Sequence, residues 1–207
     1  MRSKTWSYLP VTASRTGYLS DATGATWTLS NTATTDGLAH KVTIIGDAAT
    51  DHSAKTAVIV GTDADGKDQT ETVNLPNGTA TVTSANYYKT VTSVTPSATI
   101  GADTMDIGWD EPSVGPTIPI NSKNEGTSLW TEMLDVSGTI NCGTEACFRN
   151  VFETQPSTLT WIASALSSKT ADAVGYGTVH ATAVRCIVTS VTNGATLKFT
   201  VVQGSVD

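Results

Sequence analysis

The stretch AVRCIVTSVTNGATLKFTVV, Ala183–Val202, decides the fold class. Val184, Cys186 and Val188 take every second position. After Asn193-Gly194, Leu197, Phe199 and Val201 alternate with Lys198, Thr200 and Val202. A repeat of two is the period of a pleated strand, whose successive side chains point to opposite faces. Asn and Gly both accept positive φ, as a two-residue hairpin turn demands, so the stretch predicts two antiparallel strands joined at residues 193–194.

The same period runs back through the chain. Val42 and Ile44 share a face, as do Val58 and Val60; Val73 and Leu75 alternate with Thr72 and Asn74, and Ala80 and Val82 with Thr79, Thr81 and Thr83. Met105, Ile107 and Trp109 line one face of a further strand. Leu75-Pro76-Asn77-Gly78-Thr79 predicts a second Asn-Gly hairpin, and Asp63-Ala64-Asp65-Gly66-Lys67-Asp68 a hairpin loop. In Ser128–Val136, Leu129 and Met133 fit a helical spacing, but the surroundings favour a strand. Nearly one residue in five is Thr, whose branched β-carbon suits a strand and whose hydroxyl suits a wet face. The expected fold is all-β, with tandem β-sandwich or jelly-roll-like units.

The expected division is an N-terminal arm over 1–17, a first unit over 18–110, a linker over 111–126 marked by Pro112, Pro116 and Pro119, and a second unit over 127–207. The arm has few aliphatic residues beside its aromatic ones, so it is expected to order against a partner. Arg2, Lys4, Trp6 and Tyr8 are its candidate interface residues.

Of 207 residues, 15% are charged and the net charge is -7. The basic residues are scattered among more numerous acids, which argues against nucleic acid as a partner, since phosphate binding needs clustered Lys and Arg. No apolar run approaches the roughly 18 residues a membrane helix requires. Met1–Pro10 shows no apolar core of a secretion signal, which predicts a cytosol-like compartment. Three cysteines, Cys142, Cys147 and Cys186, read as reduced and buried rather than as a disulfide framework, although Cys142 and Cys147 frame a segment short enough to bridge.

Each candidate chemical site has a plainer reading. Asp63, Asp65, Asp68 and Glu71 are dense enough to suggest Ca²⁺, but Gly66 comes too early for an EF-hand loop, and a hairpin tip explains them. His40, His52 and His180 lack zinc spacing. No G-x-S-x-G is present, and Gly175-Tyr176-Gly177 lacks the flanking residues of a phosphate loop. Glu132 with Asp135, and Asp110 with Glu111, are carboxylate pairs at spacings too common to specify glycoside hydrolysis. Asn77-Gly78-Thr79 is better read as a turn than as a glycosylation site. Trp6, Trp27, Trp109, Trp130 and Trp161 are spread out, which suits core or interface anchoring better than a sugar platform. The expectation is therefore no catalytic, cofactor or metal residue, and no enzyme.

One resemblance is visible. Ile59–Gly66 followed by Thr70–Val73 and Pro76–Gly78, then Tyr88–Thr95, Ala98–Asp103 and Ile107–Trp109, resembles a pattern common in tailed-bacteriophage structural proteins. Ala183–Ser190 with Leu197–Gly204 is similar to the last hairpin of small phage virion proteins. The resemblance implies a virion component assembled in the host cytoplasm. The expected role is a capsid decoration or cement protein that binds the major capsid protein or other virion proteins as a homo-oligomer, a trimer by the resemblance, without cofactor, nucleic acid or membrane. The alternatives are a tail, connector or fibre component, and a carbohydrate-binding adhesin module.

Overall fold

A computed structural model of the chain describes residues 2–120, 130–149, 159–177 and 181–203. Those residues hold strands and no helix: β1 (Arg2–Tyr8), β2 (Ser14–Ala22), β3 (Ala39–Gly46), β4 (Thr56–Thr62), β5 (Asp68–Asn74), β6 (Thr81–Tyr88), β7 (Thr90–Pro96), β8 (Met105–Val114), β9 (Ile118–Pro119), β10 (Trp130–Ser137), β11 (Ile140–Cys147), β12 (Trp161–Ala163), β13 (Ala173–Gly177), β14 (Ala183–Val191) and β15 (Thr196–Gln203). They fall into two compact units. One is Ala13–Ser113; the other is Met1–Thr12 together with Val114–Asp207.

In the first of these, the middle unit, β5-β4-β7 form one sheet, and β2, β8, β3 and β6 lie in another. Ile59, Val91 and Val94 from one sheet and Tyr18, Val42, Ile44, Met105 and Ile107 from the other meet in one buried cluster, to which Trp27, Leu75 and Ile100 add from the loops. This is sandwich packing, with each aliphatic burial worth about 1.5–3 kcal/mol. The period-two reading finds Met105, Ile107 and Trp109 together against this core. On β4 the inward set is Ala57, Ile59 and Gly61, while Val58 and Val60 face the other way and stay half-buried. The gap between β5 and β6 is bridged by side chains. The Glu71 carboxylate accepts the Ala85 and Asn86 amides at 2.6 and 3.0 Å, and the Gln69 amide donates to the Tyr87 carbonyl at 2.6 Å.

In the terminal unit, one sheet runs β1-β15-β10-β13, and β14 is flanked by β11 and β9, with β12 beyond β11. Trp130, Leu134, Leu197, Phe199 and Val201 are buried from the first sheet, and Cys142, Val184, Cys186 and Val188 from the second.

Four expectations change here. The arm is a strand: β1 pairs antiparallel with β15 over seven residues, from Arg2↔Gln203 to Tyr8↔Leu197. Ser3, Thr5 and Ser7 alternate with Lys4, Trp6 and Tyr8, and that alternation turns Trp6 inward, its ring 6.2 Å from Phe199. The boundary after residue 17 therefore moves, because residues 1–12 belong with the last strands of the chain and 13–17 with the middle unit. Much of the expected 111–126 linker is strand: Glu111–Val114 completes β8, and Ile118–Pro119 pairs with β14. Residues 121–126 lie outside the described residues.

The two Asn-Gly turns are the fourth change. Neither closes a hairpin. β5 and β6 lie in different sheets, and so do β14 and β15. Gly78 and Gly194 have φ of 60° and 86°, whereas neither Asn77 nor Asn193 is among the residues of positive φ. A two-residue hairpin turn of this kind needs positive φ at both positions. With only Gly inverted, the turn becomes a corner that carries the chain from one sheet to the next. The Asp63–Asp68 loop does close a hairpin, β4 against β5 from Thr62↔Asp68 onward.

Because Trp6 packs on Phe199, Trp6→Ala is expected to destabilise the terminal unit by about 2 kcal/mol, seen as a lower denaturant midpoint. A free arm would give no change.

Candidate functional site

Among the described residues, the large exposed apolar side chains include Met133, Val174 and Tyr176, which share one face of the β1-β15-β10-β13 sheet. β10 and β13 pair antiparallel, so Met133 lies directly beside Val174, and Tyr176 stands two residues further along beside Thr131. Val174 is 52% exposed and Tyr176 67%. The alternation that points Trp130, Glu132 and Leu134 into the core leaves Thr131, Met133 and Asp135 outside. A shallow groove of about 480 Å³ runs along this face, lined by Met133, Asp135, Asp172, Val174, Lys198 and Thr200. Among the described residues β13 is an edge of its sheet, and it contains neither a charge nor a proline, so it lacks the usual devices that keep other strands away.

The four sequence-predicted interface residues sit at the opposite edge, on β1. Lys4 is exposed with its ammonium 4.9 Å from the centre of the Trp6 ring. Trp6 and Tyr8 are half-buried, and Arg2 pairs through its backbone with Gln203. Nothing in the sequence marks Val174 and Tyr176 as a contact face, because alternation alone does not say which face is wet.

The other candidate residues make contacts within the fold. The carboxylates of the 63–71 segment do not converge. Asp63 is buried and accepts the Asp65 and Lys67 amides at 2.9 and 3.0 Å, and burial outweighs those bonds to raise its pKa. Glu132 and Asp135 lie on opposite faces of β10. Glu132 is fully buried and accepts from the Trp130 indole (2.7 Å), Thr144 (2.5 Å) and Ser164 (2.8 Å), while exposed Asp135 pairs with Lys198 at 3.2 Å. Asp110 offers its carbonyl to His40 Nδ1 at 2.9 Å. His40 Nε2 meets Asp36 at 2.9 Å with both side chains shielded from water. His180 lies outside the described residues.

The five Trp side chains are occupied as well. Trp27 and Trp130 are buried, Trp109 packs on the middle-unit core with its ring 5.2 Å from Tyr18, and Trp161 lies beneath the Arg185 guanidinium at 4.2 Å. Cys142 and Cys147 are five residues apart on β11, so they face opposite sides of it, and all three cysteines are free and buried.

One convergence escapes sequence reading. Asp21, Asp47 and Asp106 bring carboxylate oxygens within 4.8 Å of one another. They come from three separate segments, so no spacing could announce them. The Arg15 guanidinium hydrogen-bonds both Asp47 and Asp106, and Asp106 also accepts the Asp21 amide at 3.1 Å. The positive charge that holds this cluster together is the chain's own.

No protein-family profile matches the chain, and no curated protein does. Among solved structures, that of infectious bursal disease virus, Gx strain, is similar at 16% identity and a TM-score of 0.22, over 97% of this chain and 70% of that one.

Two outcomes follow from the buried groups. Burial would raise the Asp36 pKa, but the hydrogen bond and charge of His40, with bonds from Thr34 and the Leu38 amide, outweigh it and hold the group below the usual carboxylate range. Its contribution to stability is complete above the unfolded value of about 4 and is lost as the pH falls through the lower folded value. Asp36→Asn should lower stability by about 2 kcal/mol near neutral pH and flatten the acid limb of a urea-midpoint titration. Burial also pushes Cys142 up to about 11 and Cys186 up to about 12. Neither thiol should react with a thiol-specific disulfide reagent in the native protein at neutral pH, and all three cysteines should react once it is unfolded.

Proposed function

We propose that this chain is a non-enzymatic structural protein of a phage virion, a capsid decoration or cement protein that binds the assembled head. The observation that carries the reading is the exposed Met133, Val174 and Tyr176 face beside the open strand β13. An apolar face next to an uncharged strand edge suits contact with another protein, since main-chain bonds and side-chain burial can be made together. The resemblance of the strand sequences to tailed-phage structural proteins supports the virion setting.

The mechanism is mass action. A protein that binds only the assembled lattice stabilises it by its own binding energy. Strands held in sheets lose little further freedom on docking, so more of the contact energy remains as affinity. The partner in this reading is the major capsid protein or a neighbouring virion protein, and the protein acts as a homo-oligomer. The engagement of all five Trp rings within the fold weighs against a sugar-stacking adhesin.

Copy number separates decoration from a tail, connector or fibre position. Densitometry of purified particles is expected to give a number comparable to that of the major capsid protein; six or twelve copies per particle would move the protein to the tail or neck. Tyr176→Ser combined with Val174→Thr should weaken retention on the particle at least tenfold and change the stability of the free protein by less than about 0.5 kcal/mol, because both side chains are already exposed.

A further inference from the structure

The chain has two Asn-Gly pairs, Asn77-Gly78 and Asn193-Gly194, and both sit at corners between sheets. In such a pair the glycine amide nitrogen can attack the asparagine side-chain carbonyl carbon and close a five-membered ring. Glycine permits this best, since it carries no β-carbon to crowd the approach. The nitrogen must also be free to turn towards the side chain, so a hydrogen bond from it works against the reaction.

The two corners differ in that respect. At the first, the Gly78 amide donates to the Thr50 carbonyl at 3.1 Å and the Ala80 amide to the Asn77 carbonyl at 3.3 Å, and Asn77 forms a β-bridge with Asp51. A β-carbon on Gly78 would lie 3.6 Å from the Ala49 carbonyl oxygen. At the second, the Gly194 amide donates to no acceptor among the described residues, and a β-carbon on Gly194 would meet no atom within 4 Å. The backbone bond that closes this corner runs from the Ala195 amide to the Thr192 carbonyl, at 3.1 Å. Exposure does not separate the two asparagines, since both are exposed. The Thr12 hydroxyl donates to Asn193 Oδ1 at 3.3 Å, the atom on which negative charge gathers when Cγ is attacked.

We propose that Asn193 is a site of spontaneous covalent modification, converted through a succinimide to isoaspartate and aspartate, that its isoaspartyl form loosens the corner, and that the fold protects Asn77. Solvent hydroxide removes the Gly194 amide proton. The nitrogen bonds to Asn193 Cγ, and the Cγ–Nδ2 bond breaks with release of ammonia. Water then opens the ring. Addition at Cγ gives aspartate with the original backbone. Addition at the Asn193 backbone carbonyl breaks its bond to the Gly194 nitrogen and gives isoaspartate, whose main chain runs through the former side chain. Either product carries a negative charge where a neutral amide stood. Isoaspartate also adds one methylene to the main chain between Thr192 and Ala195, the pair whose bond closes the corner. Ala195 is buried, so the longer path strains that bond against a fixed side chain.

Ageing the whole chain in mildly alkaline heavy-oxygen water, followed by peptide mapping, tests this. Heavy oxygen should enter residue 193 at least about tenfold faster than residue 77, the ratio that one or two backbone bonds amount to. In urea strong enough to unfold the chain the two rates should agree within about threefold, since local sequence alone then governs them. Equal rates in the folded protein, a faster rate at 77, or a gap that survives in urea overturns the proposal. Asn193→Gln cannot close a five-membered ring and should lose the label at 193; unchanged uptake overturns the succinimide route. Aged protein enriched in isoaspartate should exchange its Ala195 amide at least about tenfold faster than fresh protein, the loss of about one hydrogen bond. Asn193→Asp has the charge on an ordinary backbone, so its Ala195 amide should stay within about threefold of the fresh protein. Equal exchange in the fresh and isoaspartyl forms, or the same acceleration in Asn193→Asp, overturns the loosening of the corner.

Discussion

A strand can turn only alternate side chains into a core, and both units stand on that constraint. In the middle unit it sets Val42, Ile44, Ile59, Met105 and Ile107 into one cluster fed from two sheets. In the terminal unit it buries Leu197, Phe199 and Val201 from one sheet and Val184, Cys186 and Val188 from another. Everything on the other face of those strands must tolerate water or find its own cover. Threonine does the first at little cost, which explains its abundance in a chain with modest apolar content.

Charged groups that fall on the inner side are held by partners from the same chain. Asp36 has His40, Thr34 and the Leu38 amide; Asp106 has Arg15; Glu132 has one indole and two hydroxyl donors; Asp63 has two amides of its own loop. A buried carboxylate without such donors would be strongly destabilising. These clusters therefore tie segments distant in sequence to one another, such as Arg15 to Asp106 and Glu132 to Ser164.

The candidate contact face was only partly legible in the chain. Tyr176 and Val174 lie in a short glycine-interrupted segment, Ala173–Gly177, whose alternation is evident once the strand is known. Nothing local marks it as the last strand of a sheet, since edge position depends on which strands pair and in what order. Trp6 and Tyr8 show the complementary case. Their aromatic character suggests an anchor, but whether an anchor faces a partner or the chain's own core is settled by the strand laid beside it.

The chain's period of two, its Thr content and its Gly- and Asn-bearing turns determined the all-β class seen in the described residues, and Asp63–Asp68 determined a hairpin, because those signals act within a few residues of backbone. Pairing was decided only by the tertiary structure. β1 joins β15 across the length of the chain, with Thr5 and Thr200 bonded 2.8 Å apart at a separation of 195 residues. The two Asn-Gly turns became corners instead of hairpins. A backbone ladder bonds equally well to any strand presented in register, so local sequence cannot choose the partner. The choice falls to the burial of whole faces, and that is a property of the assembled sheets.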